Sequence, residues 1–297
     1  MTTYLILHSD DFGLHTEINQ AIFKAFDKGM LTSASLMANG LATDEAIEGI
    51  LKRPDLGVGI HFNILRGYPL SDPARINTLV DKNGRFLNSM PRLLLRSFAG
   101  RIKPSHIQCE YRNQLMYLIE QGIQPTHIDS EKHCHLLIPQ AMQAINQIAD
   151  EFKLKKVRRI NESPLLDHLS AVGIQLKKRR RQRVKVALLE YCTRRANKIW
   201  TDLISPEYSF GVSLDGVPSH RNAANMLQIF SSISGNIHIE WIFHLGHPLK
   251  QTPSFNNQYG PFLLDTSGRD EMEFLLSEDT LKAITHNAIE LINYSDL

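Results

Sequence analysis

Apolar and polar positions switch between two periods along the first 160 residues. Tyr4–Ser9 is a short apolar run of β type. From Glu17 to Lys28 the apolar residues fall at Ile18, Ala21, Ile22, Ala25 and Phe26, the spacing of an amphipathic helix that Gly29 closes. Leu31–Met37 and Gly57–Ile64 read as strands, with Asp44–Lys52 as the helix between them and Pro54 and Gly57 as its stop. Further along, Ile107–Gln121 and Pro139–Phe152 carry helical spacing, and Thr126–Asp129, Lys156–Ile160 and Asn236–Phe243 read as strands. Strands that alternate with helices predict parallel βαβ units in an α/β fold. Between Arg66 and Ser105 the pattern lapses into an excursion holding Pro69, Pro73, Pro91 and Pro104. An insertion of that length over residues 66–105 is expected to act as a lid or substrate wall.

Composition narrows the class. The 297 residues are 42% hydrophobic and 22% charged, ordinary for a globular chain, and no apolar run approaches the roughly 18 residues that a membrane span requires. The length suits one large domain or two small ones. The opening MTTYLILHSDDFG lacks the charged start, long apolar stretch and cleavage site of a secretory leader, so a cytoplasmic location is expected. Cys109, Cys134 and Cys192 form no CxxC pair, in keeping with a reducing compartment. The net charge of +2 conceals an asymmetry: residues 177–198 hold ten Lys/Arg against the single acid Glu190, a local +9 that leaves −7 for the rest.

Catalytic groups of such folds sit where loops leave the carboxyl ends of parallel strands. Four predicted strand ends carry metal-type and acid–base residues. These are HSDDFG (His8–Gly13), GIHFNI (Gly59–Ile64), THIDSEKHCH (Thr126–His135) and IEWIFHLGHP, which delivers Glu240 and His244. Adjacent Asp10 and Asp11 point apart from an extended backbone, so one can hold a cation while the other takes a proton. A helix N-cap explains one aspartate well and the second poorly. The DFG triplet lies too near the start, with no glycine-rich loop before it, for a kinase. His61 alone is a weak signal, since a lone histidine between apolar neighbours is more often core than ligand. In THIDSEKHCH six of ten residues are His, Asp, Glu or Lys, a density that chance explains poorly.

In that order and spacing, HSDDFG, GIHFNI and THIDSEKHCH, together with TSASLMANG (Thr32–Gly40) and VRRINESP (Val157–Pro164), resemble the YdjC/ChbG family of carbohydrate deacetylases, including its HpnK-like branch. The resemblance covers Tyr4 to about Asn161 and loosens afterwards. It implies a single (β/α) barrel-like domain over residues 1–297, like that of NodB-type polysaccharide deacetylases. The implied activity is metal-dependent removal of the acetyl group from an N-acetylated amino sugar. By the same resemblance Asp10 is the expected base and Asp11 and His61 are metal ligands. His244 is the expected acid, with His247 as its alternative. Three departures stand out. Glu131 occupies the position where the family commonly has a ligand histidine, which makes Glu131 the expected third ligand and leaves Mg²⁺, Zn²⁺ and Mn²⁺ open as the one divalent ion. His8-Ser9 replaces the usual Asn-Ala, and His244-Leu-Gly-His247-Pro replaces a plain His-Pro-Gly. His133, His135, Arg158 and Glu240 are the expected substrate-binding set.

The basic segment lies outside the common family pattern. Val184, Leu188, Tyr191, Cys192 and Ile199 fall near helical spacing, which predicts a basic helix over 177–199 with a cationic face. Its expected partner is an anionic membrane surface, placing the protein at the inner face of the membrane and favouring a lipid-phosphate-linked sugar. A merely solvated face is the competing reading. Nucleic acid is not expected, because no binding motif accompanies the charge; a homodimer is. Two other functions stay open: a non-catalytic sugar-binding member of the family and a metal-dependent phosphoesterase.

Overall fold

The computed structural model describes residues 2–171, 179–213, 220–233, 235–246 and 267–297. Among the described residues seven strands, β1 (Thr3–Phe12), β2 (Ser33–Leu36), β3 (Gly57–Phe62), β4 (Ile128–Ser130), β5 (Tyr208–Phe210), β6 (Ile237–Phe243) and β7 (Ile289–Leu291), form one sheet. Its pairings are parallel, in the order β4-β3-β2-β1-β6-β5, with β7 beside the first residues of β1. Bridges from Ile128 to Val157 and from Lys156 to Ile204 extend the β4 edge. The Ser209 N–H donates to the Asn161 carbonyl at 3.3 Å, and the Asn161 N–H to the Ser209 hydroxyl at 3.0 Å. These bonds draw the two sheet edges together, so the sheet curls into a barrel with helices outside. The expected barrel-like α/β fold is the one observed.

Helices α1 (Thr16–Lys28) and α2 (Thr43–Ile50) follow the predicted boundaries within a residue or two. Both α4 (Pro104–Glu120) and α6 (Pro139–Glu151) begin on a proline, whose missing N–H is harmless in a first turn. Between them a four-residue turn, α5 (Cys134–Leu137), follows the 3₁₀ turn Glu131–His133. Then come α7 (Ser163–Ala171), α8 (Arg179–Ala196), α9 (His220–Ser232), α10 (Ser267–Leu276) and α11 (Glu278–His286). Lys156–Ile160 makes only isolated bridges where a strand is predicted. The 66–105 excursion is packed: it holds α3 (Met90–Phe98), capped by Ser89, and buries Ile76, Leu79, Phe86, Leu93 and Ile102. Its Leu70 and Ser71 amides donate to the Glu110 carboxylate of α4 at 3.0 and 2.9 Å.

Apolar side chains fill the layer between sheet and helices; Trp241, Phe210, Phe230, Phe243 and Phe274 stack there. The barrel interior differs. Ile6, Ile292 and Tyr294 form a small separate cluster, while His8, Asp10, His127, Asp129, Arg158 and Glu240 are buried polar groups. No helix among the described residues is long and apolar enough to cross a membrane.

Candidate metal centre and its buried ion network

Asp10 and Asp11 lie at the end of β1, where the register with β2 shifts between Ser9 and Phe12. Asp11 has φ of 65°. This left-handed residue is costly for a non-glycine side chain, and it throws the two carboxylates toward different partners. They diverge as the sequence predicts, but through this bulge rather than through the alternation of an extended strand.

Asp11 faces His61 and Glu131. His61 Nε2 is 3.9 Å from Asp11 Oδ1 and 3.9 Å from Glu131 Oε2. The three donor atoms lie within 4.8 Å of one another and all three residues are buried. Parallel pairing of β3 and β4 sets His61 directly beside Asp129, whose Oδ1 is 2.7 Å from His61 Nδ1, with the Ser35 hydroxyl at 3.0 Å. With Nδ1 engaged there, Nε2 is turned to Asp11 and Glu131, the carboxylate–histidine arrangement that orients metal ligands. The donor set, one imidazole nitrogen and two carboxylates, suits Zn²⁺, Mn²⁺ or Mg²⁺. Burial would lower the His61 pKa, yet Asp129, with help from Glu131 and Asp10, lifts it well above the ordinary imidazole range; the same negative field favours a cation.

Glu131 has a structural partner. Arg66, also buried, brings Nη2 to 3.0 Å from Glu131 Oε1, leaving Oε2 toward His61. Lys132 and His133 both have positive φ, 48° and 56°, so the chain turns sharply as soon as Glu131 is placed.

Asp10 faces the interior. Arg158 Nη1 donates to its Oδ2 at 2.9 Å, and Nη2 lies 2.8 Å from Oδ1. The same guanidinium reaches Asp129 Oδ2 at 2.7 Å and Glu240 Oε1 at 2.7 Å through Nη2 and 2.9 Å through Nε. One arginine thus gathers three buried carboxylates. Burial pushes the Asp10 carboxyl up, but Arg158, seconded by His8, holds it well below the usual carboxylate range; Asp129 is held down in the same way by Arg158 and His61. His8 fills the space between the acids, 3.4 Å from Asp10, 3.7 Å from Asp129 and 3.7 Å from Glu240. On the solvent side His244, 41% exposed, brings Nε2 to 4.0 Å from Asp10 Oδ2.

Asp10, Asp11, His61, Glu131 and His244 therefore converge on one mouth. Arg158 and Glu240 sit behind them, fully buried. His135 is farther in: its Nδ1 meets the Ser130 hydroxyl at 2.6 Å, its Nε2 meets the Arg158 carbonyl at 3.1 Å, and burial keeps it uncharged with a pKa near 4. Arg158, Glu240 and His135 thus have their polar atoms engaged by protein groups behind the mouth. His133 is half-buried near the mouth. His247 lies outside the described residues. The residues that the sequence leaves out are Asp129, His8, His127 and Arg66. Alternation could have found Asp129, because residues 127, 129 and 131 share a strand face. The His127 ring crosses Gly59, where a Cβ would fall 2.4 Å from ring atoms, and stacks on Tyr294 at 3.7 Å. Beside the mouth, Asn63 links to Asn39 at 3.1 Å, which opens onto a cavity of about 350 Å³ lined by Asp44, Tyr68 and Tyr117.

Comparison with known proteins bears on the family and the fold. The family profile described as YdjC-like protein matches residues 4–286. A carbohydrate deacetylase of Geobacillus stearothermophilus is 36% identical over 154 residues, 52% of this chain and 59% of that protein. A carbohydrate deacetylase of Thermoanaerobacter pseudethanolicus is 36% identical over 130 residues, 44% of this chain and 50% of its own. A chitooligosaccharide deacetylase of Klebsiella pneumoniae is 33% identical over 142 residues, covering 47% and 53%. The matches thus span about half the length of these relatives. A crystal structure of a putative cellobiose-phosphate cleavage protein from Enterococcus faecalis V583 superposes with a TM-score of 0.75 at 20% identity, over 100% of this chain and 99% of that one; at that identity the likeness speaks for the fold.

Proposed function

The chain belongs to the YdjC-like family, and from that premise we propose that it is a metal-dependent hydrolase that removes the acetyl group from an N-acetylated amino sugar. The observation that carries the reading is the division between Asp11 and Asp10: Asp11 joins His61 and Glu131 in a three-donor set, whereas Asp10, whose own grouping with His61 and Asp129 is occupied by the Arg158 guanidinium, faces Arg158 and His244. Asp11, His61 and Glu131 would hold one divalent ion, which supplies Lewis-acid polarisation of an acyl oxygen and makes water more acidic.

The protein groups do the rest. Asp10, ionised at neutral pH through Arg158, accepts a proton from the attacking water. His244, at the open side of Asp10, delivers a proton to the departing amine; without it the nitrogen would leave as a poor, unprotonated group. Arg158, Glu240 and Asp129 hold Asp10 and His61 in place and fix their charge. His133 lies at the mouth, where a sugar hydroxyl would reach it. The residues 66–105 wall that mouth through Arg66. All of this is carried by one domain running through residues 1–297.

The carboxylate-for-histidine exchange at Glu131 keeps a donor atom and adds a buried arginine to balance it, which favours an active enzyme over a sugar-binding relic. Incubating the protein with N-acetylated glucosamine oligomers and with a phosphate monoester, each with Mg²⁺, Mn²⁺ or Zn²⁺, tests the reading. Acetate release with no phosphate release is expected. Phosphate release alone would replace the reading with a phosphoesterase, and sugar binding without turnover would replace it with a binding protein.

A further inference from the structure

The two faces of α8 have opposite chemistry. Inward, Val186, Leu189, Cys192, Thr193 and Ala196 are buried. Glu190, the one acid of the basic run, also turns toward the protein: it accepts from the Glu162 and Ser163 amides at 3.0 and 2.7 Å and from the Ser163 hydroxyl at 2.7 Å, capping the start of α7. Outward, Val184, Leu188 and Tyr191 are 69%, 51% and 53% exposed. Their spacing of four and three residues lines them along one stripe. Arg183, Arg194 and Arg195 are exposed on or beside that stripe.

Single exposed apolar residues are ordinary, and so is a solvated cationic face. A continuous apolar stripe bordered by cations, on a helix whose acid has been turned inward, is the pattern of a helix that lies in a bilayer interface. Charge selects the occupant. Residues 177–198 carry +9 against −7 elsewhere, so a second copy of the same face would bring like charges together, whereas an anionic surface is complementary to it.

We propose that α8 docks on an anionic lipid bilayer, with Val184, Leu188 and Tyr191 entering the headgroup boundary and Arg194 and Arg195 meeting lipid phosphates. The buried face of α8 packs against α5 (Cys134–Leu137), which directly follows the Glu131–His133 turn. Docking therefore brings the bilayer to the side of the barrel that carries Glu131. The corollary, which rests on the deacetylase reading, is that the amino sugar is presented by a lipid with an anionic linkage.

Flotation of the full-length protein with phosphatidylcholine vesicles, alone or with about one third phosphatidylglycerol, tests the docking. Binding is expected only to the anionic vesicles, falling as salt rises. Arg194→Glu with Arg195→Glu should weaken it on the order of tenfold or more, since each lost surface cation counts severalfold. Leu188→Glu with Tyr191→Glu should weaken it comparably even at low salt. Both pairs should keep the wild-type melting temperature and acetate release from a soluble N-acetylated sugar. Several results would overturn the docking: no vesicle binding, equal binding to neutral vesicles, or unchanged binding by both pairs. So would a dimer in sedimentation that Leu188→Glu with Tyr191→Glu dissociates, or RNA bound more tightly than the vesicles. Lost vesicle binding with acetate release intact sinks only the docking; vesicle binding without acetate release sinks only the deacetylase reading.

Discussion

Replacing Arg158 with methionine removes the one cation that three buried carboxylates share. Arg158 is fully buried, and its nitrogens lie 2.7–2.9 Å from Asp10, Asp129 and Glu240. Deleting one partner of a buried ion pair typically costs about 3–5 kcal/mol, because the remaining charge keeps its desolvation penalty. With three acids left behind, the loss belongs at the upper end of that range, reduced by whatever protons they take up. Urea unfolding at pH 7, compared with Arg112→Gln, measures it. Arg112 meets Glu151 at 2.8 Å with both side chains largely exposed, and such a pair is worth about 0–1 kcal/mol. The pH dependence adds a second constraint. Asp10 and Asp129 have depressed pKa values in the folded protein, so their contribution is present above the ordinary carboxylate range near 4 and is lost as pH falls through the folded values. In Arg158→Met burial is opposed only by the weaker pull of His8 and His61, so the folded pKa values rise and the two acids take up protons at higher pH than in the wild type. The deficit should therefore be largest near neutrality and shrink as pH falls toward about 4. A loss no greater than that of Arg112→Gln, or a deficit that grows on acidification, would refute the ion network described above.

Asp10→Asn should retain metal, read by calorimetry, while acetate release falls about 10²-fold or more; Asp11→Asn should lose the metal, and equal metal loss in both would erase the division of labour. Gly59→Ala should unfold at lower denaturant, because its methyl would fall 2.4 Å from the His127 ring inside a packed barrel; an unchanged midpoint would mean that the ring moves freely. Glu162 is raised by burial to a pKa of about 7 despite hydrogen bonds from Gly211 and Ser213. The stability that this proton confers is complete below the unfolded value near 4.5 and lost as pH rises through about 7, so Glu162→Gln should flatten the stability profile across that window.

The parts of this architecture visible in the chain are those with local periodicity. The first three strands and their helices could be read because apolar positions repeat at two or at three to four residues, and strand ends gave the site mouth through Asp10, Asp11, His61 and His244. Where order is short or long-range the reading fails. β5 and β7 are three residues each, too short to show a period. Helix α3 was hidden because Pro91 suggests a break, although at a first turn after the Ser89 cap it starts the helix. The left-handed turn at Asp11 leaves no mark in a hydrophobic pattern. Arg158 stands 148 residues from Asp10 in the chain, and only the curling of the sheet shows that it gathers the three acids. Tyr294, close to the C-terminus, is likewise placed against His127 by the fold alone.

The central claim, a hydrolytic site assembled on Asp11, His61 and Glu131, is tested most directly by acetate release from an N-acetylated glucosamine oligomer after chelation and stepwise return of one divalent ion. Activity should vanish with the chelator and return at about one ion per chain. The same titration on His61→Ala should restore nothing. Acetate release that survives chelation, or that returns equally in His61→Ala, would contradict the assignment.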